Sequence, residues 1–203
     1  MMSEPSAPMA GPVDLVLAST SPYRRELLTR LGLAFRTYAP DVDETPHPDE
    51  APEALVKRLA QAKARAAAAA CPGALIIGSD QVAILDGRIL GKPGTHDNAC
   101  TQLLHANGRT MRFAIGLALL NTVHDRMRAE VVPFQVVFRR LTHEQIEHYV
   151  ARDEPYNCAG SFRSEGLGIT LFERLEGDDP TALMGLPLIR LVRMLENEGV
   201  AVL

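Results

Sequence analysis

Strand signals and helix signals alternate along this chain, and this alternation predicts an α/β fold. A short apolar run at residues 13–18 predicts a buried strand. A helix follows it directly, with Ser21 as its N-cap and Pro22 at its first position. An alanine-rich stretch at residues 51–70 predicts a second helix. We expect the inward face of this second helix to carry Leu55, Leu59, Ala62 and Ala66.

The same alternation continues through the rest of the chain. Residues 75–85 predict a strand, and Asp86-Gly87 predicts a two-residue hairpin turn that returns through residues 88–90. Thr142 opens a later helix with a capping box that Gln145 completes. Further strands are predicted at residues 113–120, 131–139 and 167–175, and further helices at residues 95–106 and 187–199.

Composition limits the class of protein. The chain has 203 residues, so we expect one domain at residues 13–203, or one with two lobes around a cleft, after a flexible tail at residues 1–12. The formal net charge of −4 argues against a nucleic-acid-binding protein, and no apolar run is long enough to span a membrane. Cys71, Cys100 and Cys158 form no CxxC pair, which argues against a zinc site and suits a reducing cytoplasm.

The turn between the first strand and the first helix has the chemistry of an anion site. A helix N-terminus presents free backbone N–H groups and the positive end of the helix dipole. Arg24 and Arg25 lie in the first turn, where that dipole disfavours cations, so a bound anion would compensate. The hydroxyls of Ser19 and Ser21 could add short contacts to the anion. The alternative is a capped helix whose two arginines are solvated.

A carboxylate inside a buried strand is the second feature with chemical meaning. Asp80 lies in the apolar run at residues 75–82, where burial of its charge costs several kcal/mol unless it is paired, bound to a metal or neutralised. Gly78 and Ser79 before it would let a ligand approach the backbone closely. The alternative is an aspartate held by local backbone donors.

Charged side chains elsewhere in the chain could complete such a site. Asp41, Asp43 and Glu44 follow the first helix, and clustered carboxylates can hold a hard cation such as Mg²⁺, although most acidic loops are simply solvated. Lys63 lies at the border of the apolar stripe of the second helix, so its side chain is expected to point along the core towards a cleft.

Lys92 follows the predicted hairpin and is expected near the mouth of the strand that carries Asp80. With Asp86-Gly87 as the turn, Gln81 falls opposite Lys92. Strict alternation then puts Lys92 and Asp80 on opposite faces of the sheet, so a bulge or a bend is needed to bring them together.

These groups together suit phosphoryl or nucleotidyl chemistry on a polyphosphate. Hydrolysis by an activated water is expected, because no side chain stands out as a covalent nucleophile. Several separated stretches resemble, in the same order, the Maf family of nucleoside triphosphate pyrophosphatases. They are LASTSPYRR (17–25), VDE (42–44), AKA (62–64), GSDQV (78–82), LGKP (90–93) and GLPL (185–188). The resemblance extends over residues 13–199.

Within this family, Gln81 and the stretches at residues 158–166 and 170–177 are similar to the bacterial branch that hydrolyses 7-methyl-GTP. The resemblance implies an elongated mixed sheet with flanking helices and a central cleft, related to inosine triphosphate pyrophosphatases. It implies hydrolysis of a nucleoside triphosphate to the monophosphate and pyrophosphate, with Mg²⁺ or Mn²⁺ and in a possible homodimer. Two alternatives stay open: the dTTP and UTP activity of the sister branch, and a non-catalytic nucleotide-binding regulator of cell division.

The resemblance also implies roles for individual residues. Asp80 matches the proton acceptor of the family, and with Glu44 it is expected to hold the metal and water. The polar active-site set is matched by Ser19, Arg24, Glu44, Lys63 and Lys92. The positions linked to base choice are Tyr23, Gln81 and Glu165. The branch often has Trp at the position of Tyr23, which is the one departure from its pattern.

Overall fold

Helices lie on both faces of a mixed β-sheet in the computed structural model, which describes residues 14–203. The predicted tail at residues 1–12, and Val13 of the predicted first strand, lie outside the described residues. The strands are β1 (Leu15–Ala18), β2 (Arg36–Tyr38), β3 (Leu75–Leu85), β4 (Arg88–Leu90), β5 (Thr110–Asn121), β6 (Arg126–Phe138) and β7 (Phe172–Glu176). The α-helices are α1 (Pro22–Thr29), α2 (Pro52–Ala68), α3 (His96–Ala106), α4 (His143–Asp153) and α5 (Leu188–Asn197).

The order of the strands leaves a gap beside β3. In the part of the chain that the structure describes, the order is β2-β1-β3-β5-β6-β7, and β4 pairs only with β3. β5 occupies one side of β3 along residues 75–84, so β1 and β4 share the other side. β1 pairs there with residues 75–78 and β4 with residues 83–85. Within the described residues, 79–82 therefore have no neighbouring strand on that side.

The predicted α/β fold, with a mixed sheet, flanking helices and a cleft, is confirmed. β1 runs parallel to β2 and β3, and the other strand pairs are antiparallel. The hairpin turn also forms as predicted, since Asp86 and Gly87 have φ values of 51° and 78°, the positive values that a type I′ turn needs. None of the helices within residues 14–203 is long and apolar enough to cross a membrane.

The prediction of one strand over residues 167–175 is wrong in its first half. Leu167–Leu171 is a short 3₁₀ helix, and β7 begins only at Phe172. A Cβ at Gly168 would lie 2.2 Å from the carbonyl oxygen of Arg163, so the chain folds back here onto its own backbone. β2 was not predicted, because three largely exposed residues give no apolar pattern.

The inward face of α2 is rotated from the predicted stripe. Leu55 and Leu59 are buried as expected, but Ala62 and Ala66 are only half-buried. The buried side of the helix continues instead through Val56, Ala60, Lys63, Ala64 and Ala67.

Two glycines of the sheet explain this rotation. A Cβ at Gly78 would lie 2.1 Å from the carbonyl oxygen of Ala60, and one at Gly116 would lie 2.0 Å from that of Val56. The backbone of α2 thus rests directly on β3 and β5, which no side chain at these two positions would allow. This close packing brings Lys63 against the sheet beside the gap in β3.

Candidate active site

A cleft of about 710 Å³ opens at the gap between β1 and β4. Its walls come from the turn between β1 and α1, from the segment after β4 and from residues 157–165. Ten of the eleven predicted site residues line it. They are Ser19, Ser21, Tyr23, Arg24, Glu44, Lys63, Asp80, Gln81, Lys92 and Glu165.

Arg25 is the exception, because the structure does not bring it to the cleft. Its side chain is exposed on the outer face of α1, together with Glu26 and Arg30. Successive residues of a helix point about 100° apart, so Arg25 turns outward when Arg24 turns inward.

Lys63 joins the two predicted metal-binding carboxylates. Its Nζ lies 2.6 Å from Oδ1 of Asp80 and 2.6 Å from Oε1 of Glu44. The side chains of Lys63 and Asp80 are only 9% and 11% exposed, whereas that of Glu44 is 61% exposed. The hydrogen bond from Lys63 lowers the pKa of Glu44, burial opposes this, and the charges of Lys63, Lys92 and Arg24 lower it further. Asp80 is thus paired with a charged side chain rather than with local backbone donors.

The predicted acidic cluster contributes only one of its three carboxylates. Asp41 and Asp43 are exposed and do not line the cleft. Oδ1 of Asp43 instead accepts a hydrogen bond of 2.9 Å from the backbone N–H of Thr45. The carboxylates that could hold a cation at the cleft are therefore Glu44 and Asp80, both hard oxygen donors.

Lys92 reaches the cleft without the bulge considered above. The pairs between β3 and β4 keep a regular register, from Ala83 with Leu90 to Leu85 with Arg88. β4 then ends at Leu90, so the alternation that puts Lys92 on the far face does not extend to it. The exposed Lys92 lines the cleft as part of a loop.

The turn into α1 is both a capped helix and a wall of the cleft. Oγ of Ser21 accepts a hydrogen bond of 3.4 Å from the N–H of Arg24, and the N–H of Ser21 donates to Oγ of Ser19 over 3.1 Å. The guanidinium of Arg24 is half-buried and held by the protein, since its Nε donates to the carbonyl oxygen of Gly185 over 2.9 Å. Burial lowers the pKa of Arg24, while the charges of Asp80 and Glu44 oppose this.

A short 3₁₀ helix, Ala182–Met184, lies against the face of β3 opposite Asp80 and is followed by Gly185. Oγ of Ser79 lies 2.8 Å from the Gly185 carbonyl oxygen, and Nε2 of Gln81 donates to that of Leu183 over 3.0 Å. Gly185 has a φ of 96°, and a Cβ there would lie 3.0 Å from Oε1 of Gln81 and 3.1 Å from Nε of Arg24. This turn fixes the position of two predicted substrate-binding side chains.

The far wall of the cleft contains Tyr23, Glu165 and two residues that sequence reasoning did not single out, Cys158 and Arg163. Burial is the largest cause of the raised pKa of Tyr23, and Cys158 adds to it. The hydroxyl of Tyr23 interacts with the guanidinium of Arg163, which acts in the opposite direction on that pKa. Tyr23 therefore carries a neutral, partly buried phenol beside a cation.

Arg163 is held in place by α4. Its Nε lies 3.3 Å from Oδ2 of Asp153, and its backbone N–H donates to the hydroxyl of Tyr149 over 3.1 Å. Tyr149 in turn donates to Oδ2 of Asp153 over 2.8 Å. Phe162, next to it, packs edge-to-face in a cluster of phenylalanines. The signal in the sequence was that Arg163 lies in the branch-like stretch at residues 158–166, two residues before Glu165.

The fold and the cleft together define the class of this protein. It is an α/β protein with a cleft in which a helix N-terminus, basic side chains and two carboxylates lie close together. A family model described as "Maf-like protein" matches residues 14–198. The chain therefore belongs to the Maf-like protein family, which confirms the resemblance expected from the motifs.

Curated relatives cover nearly the whole chain. The "7-methyl-GTP pyrophosphatase" of Nitrosococcus oceani is 59% identical over 196 residues, which are 97% of this chain and 98% of the relative. That of Methylobacillus flagellatus is 56% identical over 189 residues, 93% of this chain and 98% of the relative. Among solved structures, the Ham1 protein of Staphylococcus aureus is 16% identical, with a TM-score of 0.45 over 62% of this chain and 71% of that chain.

Proposed function

We propose that this protein hydrolyses a nucleoside triphosphate, 7-methyl-GTP, to the nucleoside monophosphate and pyrophosphate. The observation that carries this proposal is the contact of Lys63 with both Glu44 and Asp80, in a cleft that also contains the N-terminus of α1. Helix N-termini and basic side chains suit phosphates, and paired carboxylates suit a divalent cation with a water. The two curated relatives quoted above are named for this reaction.

The triphosphate binds at the turn from β1 into α1. Ser19 lines the cleft there, so its hydroxyl can contact a phosphate, and the dipole of α1 favours the negative charge of the phosphates. Arg24 forms a charge-assisted contact with a phosphate oxygen, with its guanidinium oriented by the carbonyl of Gly185. Lys92 neutralises phosphate charge from the other rim of the cleft.

A divalent cation, Mg²⁺ or Mn²⁺, is part of this proposal. Among the described residues, Lys63 contacts Asp80 through Oδ1 and Glu44 through Oε1, which leaves the second oxygen of each carboxylate for a cation. Hard cations prefer such oxygen ligands, so the donor set fits. Glu44 and Asp80 would hold the cation, which supplies charge neutralisation to the triphosphate and to the leaving pyrophosphate.

Water attacks the α-phosphorus, the bond between that phosphorus and the oxygen bridging to the β-phosphate breaks, and the proton of the water passes to a phosphate oxygen of the products. Asp80 accepts a hydrogen bond from this water. A carboxylate that is paired with an ammonium and ligates a cation is a poor base, so Asp80 acts mainly by orienting the water. Lys63 and Lys92 stabilise the charge that develops on the phosphate oxygens.

Base choice rests on Tyr23 and Glu165 at the far wall of the cleft and on Gln81 of β3, which also lines it. Methylation at N7 gives guanine a positive charge, and the ring of Tyr23 attracts such a base by about 0.5–2 kcal/mol. The carboxylate of Glu165 accepts hydrogen bonds from N1–H and N2–H of guanine. Uracil and thymine present the acceptors O2 and O4, which the same carboxylate repels.

Two other functions remain alternatives, the dTTP and UTP activity of the sister branch and nucleotide binding without turnover. The acceptor-only side chain of Glu165 favours guanine over either pyrimidine. The cytoplasm is the proposed location, supported by Cys71, Cys100 and Cys158, which are all free thiols. A homodimer stays a prediction from the resemblance, and sedimentation would test it.

The decisive experiment measures pyrophosphate release by the purified, metal-free protein after addition of Mg²⁺, Mn²⁺ or Co²⁺. The substrates are 7-methyl-GTP, GTP, UTP and dTTP. We expect release to require a cation and kcat/KM to be highest for 7-methyl-GTP. A highest value for UTP or dTTP would support the sister branch, and tight binding without turnover under every cation would support the regulator. Release of orthophosphate instead would contradict attack at the α-phosphorus.

A further inference from the structure

Away from the cleft, α3 and α4 bring metal-binding side chains together. His96 and Cys100 lie four residues apart on α3, and His143 and Glu147 lie four residues apart on α4. Residues at this spacing lie on the same face of a helix. None of these side chains lines the cleft described above. The two helices pack against each other, so the two faces meet.

The distances between these side chains suit a small coordination sphere. One ligand atom each from His96, Cys100 and Glu147 lie within 4.8 Å of one another. Nδ1 of His96 lies 3.7 Å from Sγ of Cys100, whereas the contact of 3.5 Å with Oε2 of Glu147 is made by the other ring nitrogen, Nε2. An imidazole binds one ion through one nitrogen, so the triangle uses the single ring nitrogen that lies within 4.8 Å of both other ligand atoms. Zinc–sulfur and zinc–nitrogen bonds at a tetrahedral angle place the two ligand atoms about 3.5 Å apart. Side-chain movements of about 1 Å would close this triangle on an ion.

We propose that His96, Cys100 and Glu147 form a Zn²⁺ site that joins α3 to α4, with His143 as the fourth ligand. The spacing of the cysteines, which argues against a zinc site in the sequence, does not bear on this one, because its ligands come from two helices and include a single cysteine. Nε2 of His143 lies 3.8 Å from Oε1 of Glu147, and its exposed side chain is free to turn towards the ion. A thiolate, two imidazoles and one carboxylate suit a borderline-soft cation, whereas Mg²⁺ and Ca²⁺ prefer oxygen ligands alone. The site is thus chemically distinct from the carboxylate pair in the cleft.

An ion between α3 and α4 would also affect the cleft, because α3 holds the segment around Lys92. Nδ2 of Asn98 donates to the carbonyl oxygen of Pro93 over 2.9 Å, and Nε2 of Gln102 donates to that of Gly91 over 3.1 Å. Both donors lie on α3, and their acceptors flank Lys92. An ion that fixes α3 against α4 therefore also steadies the segment that carries Lys92.

The test is a titration of the metal-free, full-length protein with Co²⁺, followed by absorption spectroscopy. We expect one equivalent to give a thiolate-to-cobalt charge-transfer band, which Zn²⁺ then removes. Cys100→Ser should abolish the band, whereas Cys158→Ser, at the cleft, and His105→Ala, at an exposed position of α3, should keep it. Absence of the band in the unsubstituted protein, or its persistence in Cys100→Ser, would overturn the proposal.

Glu147→Gln provides a second variant on the half-exposed surface of α4, in case the substitution of buried Cys100 impairs folding. We expect this variant to raise the dissociation constant for Co²⁺, measured by titration of the charge-transfer band, by at least about 10-fold, because the ion loses its carboxylate ligand. Glu144→Gln, an exposed change in the first turn of the same helix, is the matched control and should leave the affinity unchanged. Equal affinities for these two variants would show that no metal joins α3 to α4, and that Glu147 only forms ion pairs with the histidines.

Discussion

Nζ of Lys63 and Oδ1 of Asp80 lie 2.6 Å apart, and this contact joins α2 to β3 where the sheet has its gap. Taking two charges out of water costs several kcal/mol per ion, and their attraction offsets this only in good geometry. Packed apolar residues would hold α2 to the sheet at least as well. The ion pair is therefore better explained by the chemistry of the cleft than by stability.

The first prediction concerns Asp80. We expect Asp80→Asn to lower kcat for 7-methyl-GTP hydrolysis by at least about 100-fold, because an amide neither binds a cation nor orients an attacking water as a carboxylate does. Pyrophosphate release at saturating substrate and Mg²⁺ measures the change.

Asp125→Asn is the matched control for this variant. Asp125 is an exposed turn residue with a φ of 47°, a conformation that asparagine tolerates, and within residues 14–203 its one ion pair is with the exposed Arg65. Its kcat should stay within about two-fold of the original value. If folded Asp80→Asn also kept its kcat, Asp80 would have no part in the chemical step.

The second prediction concerns Gly185. The Cβ of Gly185→Ala would crowd Oε1 of Gln81 and Nε of Arg24, at 3.0 and 3.1 Å, so the guanidinium must move. Loss of one charge-assisted contact to a phosphate is worth about 1.4 kcal/mol, so KM should rise by about 10-fold. Steady-state kinetics with 7-methyl-GTP measures this KM.

Gly87→Ala separates crowding from backbone strain. Gly87 also has a positive φ, 78°, but a Cβ there meets no atom within 4 Å. Both variants should lose about 1 kcal/mol of folding free energy, because alanine rarely adopts this conformation. Only Gly185→Ala should raise KM. An unchanged KM in Gly185→Ala would mean that the contact between Arg24 and Gly185 does not position a substrate-binding group.

Local chemistry in the sequence predicted the elements that build the site. The strand–turn–helix unit at Ser21 and the hairpin at Asp86-Gly87 are short-range features, in which neighbouring residues determine the conformation. The same reasoning identified Asp80 as a buried charge in need of a partner, which the structure identifies as Lys63.

Long-range contacts could not be predicted in the same way. The gap beside β3 depends on where β1 and β4 stop pairing, which no local pattern encodes. The rotation of α2 depends on Gly78 and Gly116, which lie on different strands. The link from Arg24 to Gly185 spans 161 positions of the chain, and only the resemblance to a family drew attention to the GLPL stretch.

The third prediction concerns Glu198 and acid stability. Its side chain is 3% exposed, with Nδ2 of Asn121 at 2.7 Å and Nη2 of Arg126 at 2.6 Å from Oε2. Burial raises the pKa of Glu198, but the hydrogen bonds from Arg126 and Asn121 outweigh it and hold the pKa below its usual 4.5. A lowered pKa in the folded state stabilises the protein above the unfolded-state value, and this contribution is lost as the pH falls through the folded-state value.

Glu198→Gln should therefore lower the free energy of unfolding by about 2 kcal/mol at pH 7, the cost of losing a hydrogen-bonded charge. The difference from the original protein should shrink as the pH falls below 4.5, because Glu198 is then protonated first in the unfolded state and, at lower pH, in the folded state as well. Urea unfolding across this pH range measures it. Glu196→Gln, an exposed change in the last turn of α5, the helix that Glu198 caps, should show no such difference. A deficit in Glu198→Gln that stays constant with pH would contradict the electrostatic explanation.

The fourth prediction concerns Glu165 and its contact with the base. We expect Glu165→Gln to lower kcat/KM for 7-methyl-GTP by at least about 10-fold, the 1.4 kcal/mol expected from losing a charge-assisted hydrogen bond. The value for UTP should stay the same or rise, since a neutral amide no longer repels its carbonyl oxygens. Glu173→Gln, an exposed change on β7, is the control and should alter neither value.

Substitutions of Tyr23 test the proposed contact between its aromatic ring and the base. Tyr23→Ala should narrow the ratio of kcat/KM between 7-methyl-GTP and GTP, because only the methylated base carries the positive charge that an aromatic face attracts. Tyr23→Trp should keep or widen that ratio, since the indole ring attracts cations more strongly. Arg163 lies beside the hydroxyl of Tyr23, so removal of the ring also exposes the base to this cation. If Glu165→Gln and Tyr23→Ala both left the ratio of 7-methyl-GTP to UTP hydrolysis unchanged, neither residue would read the base.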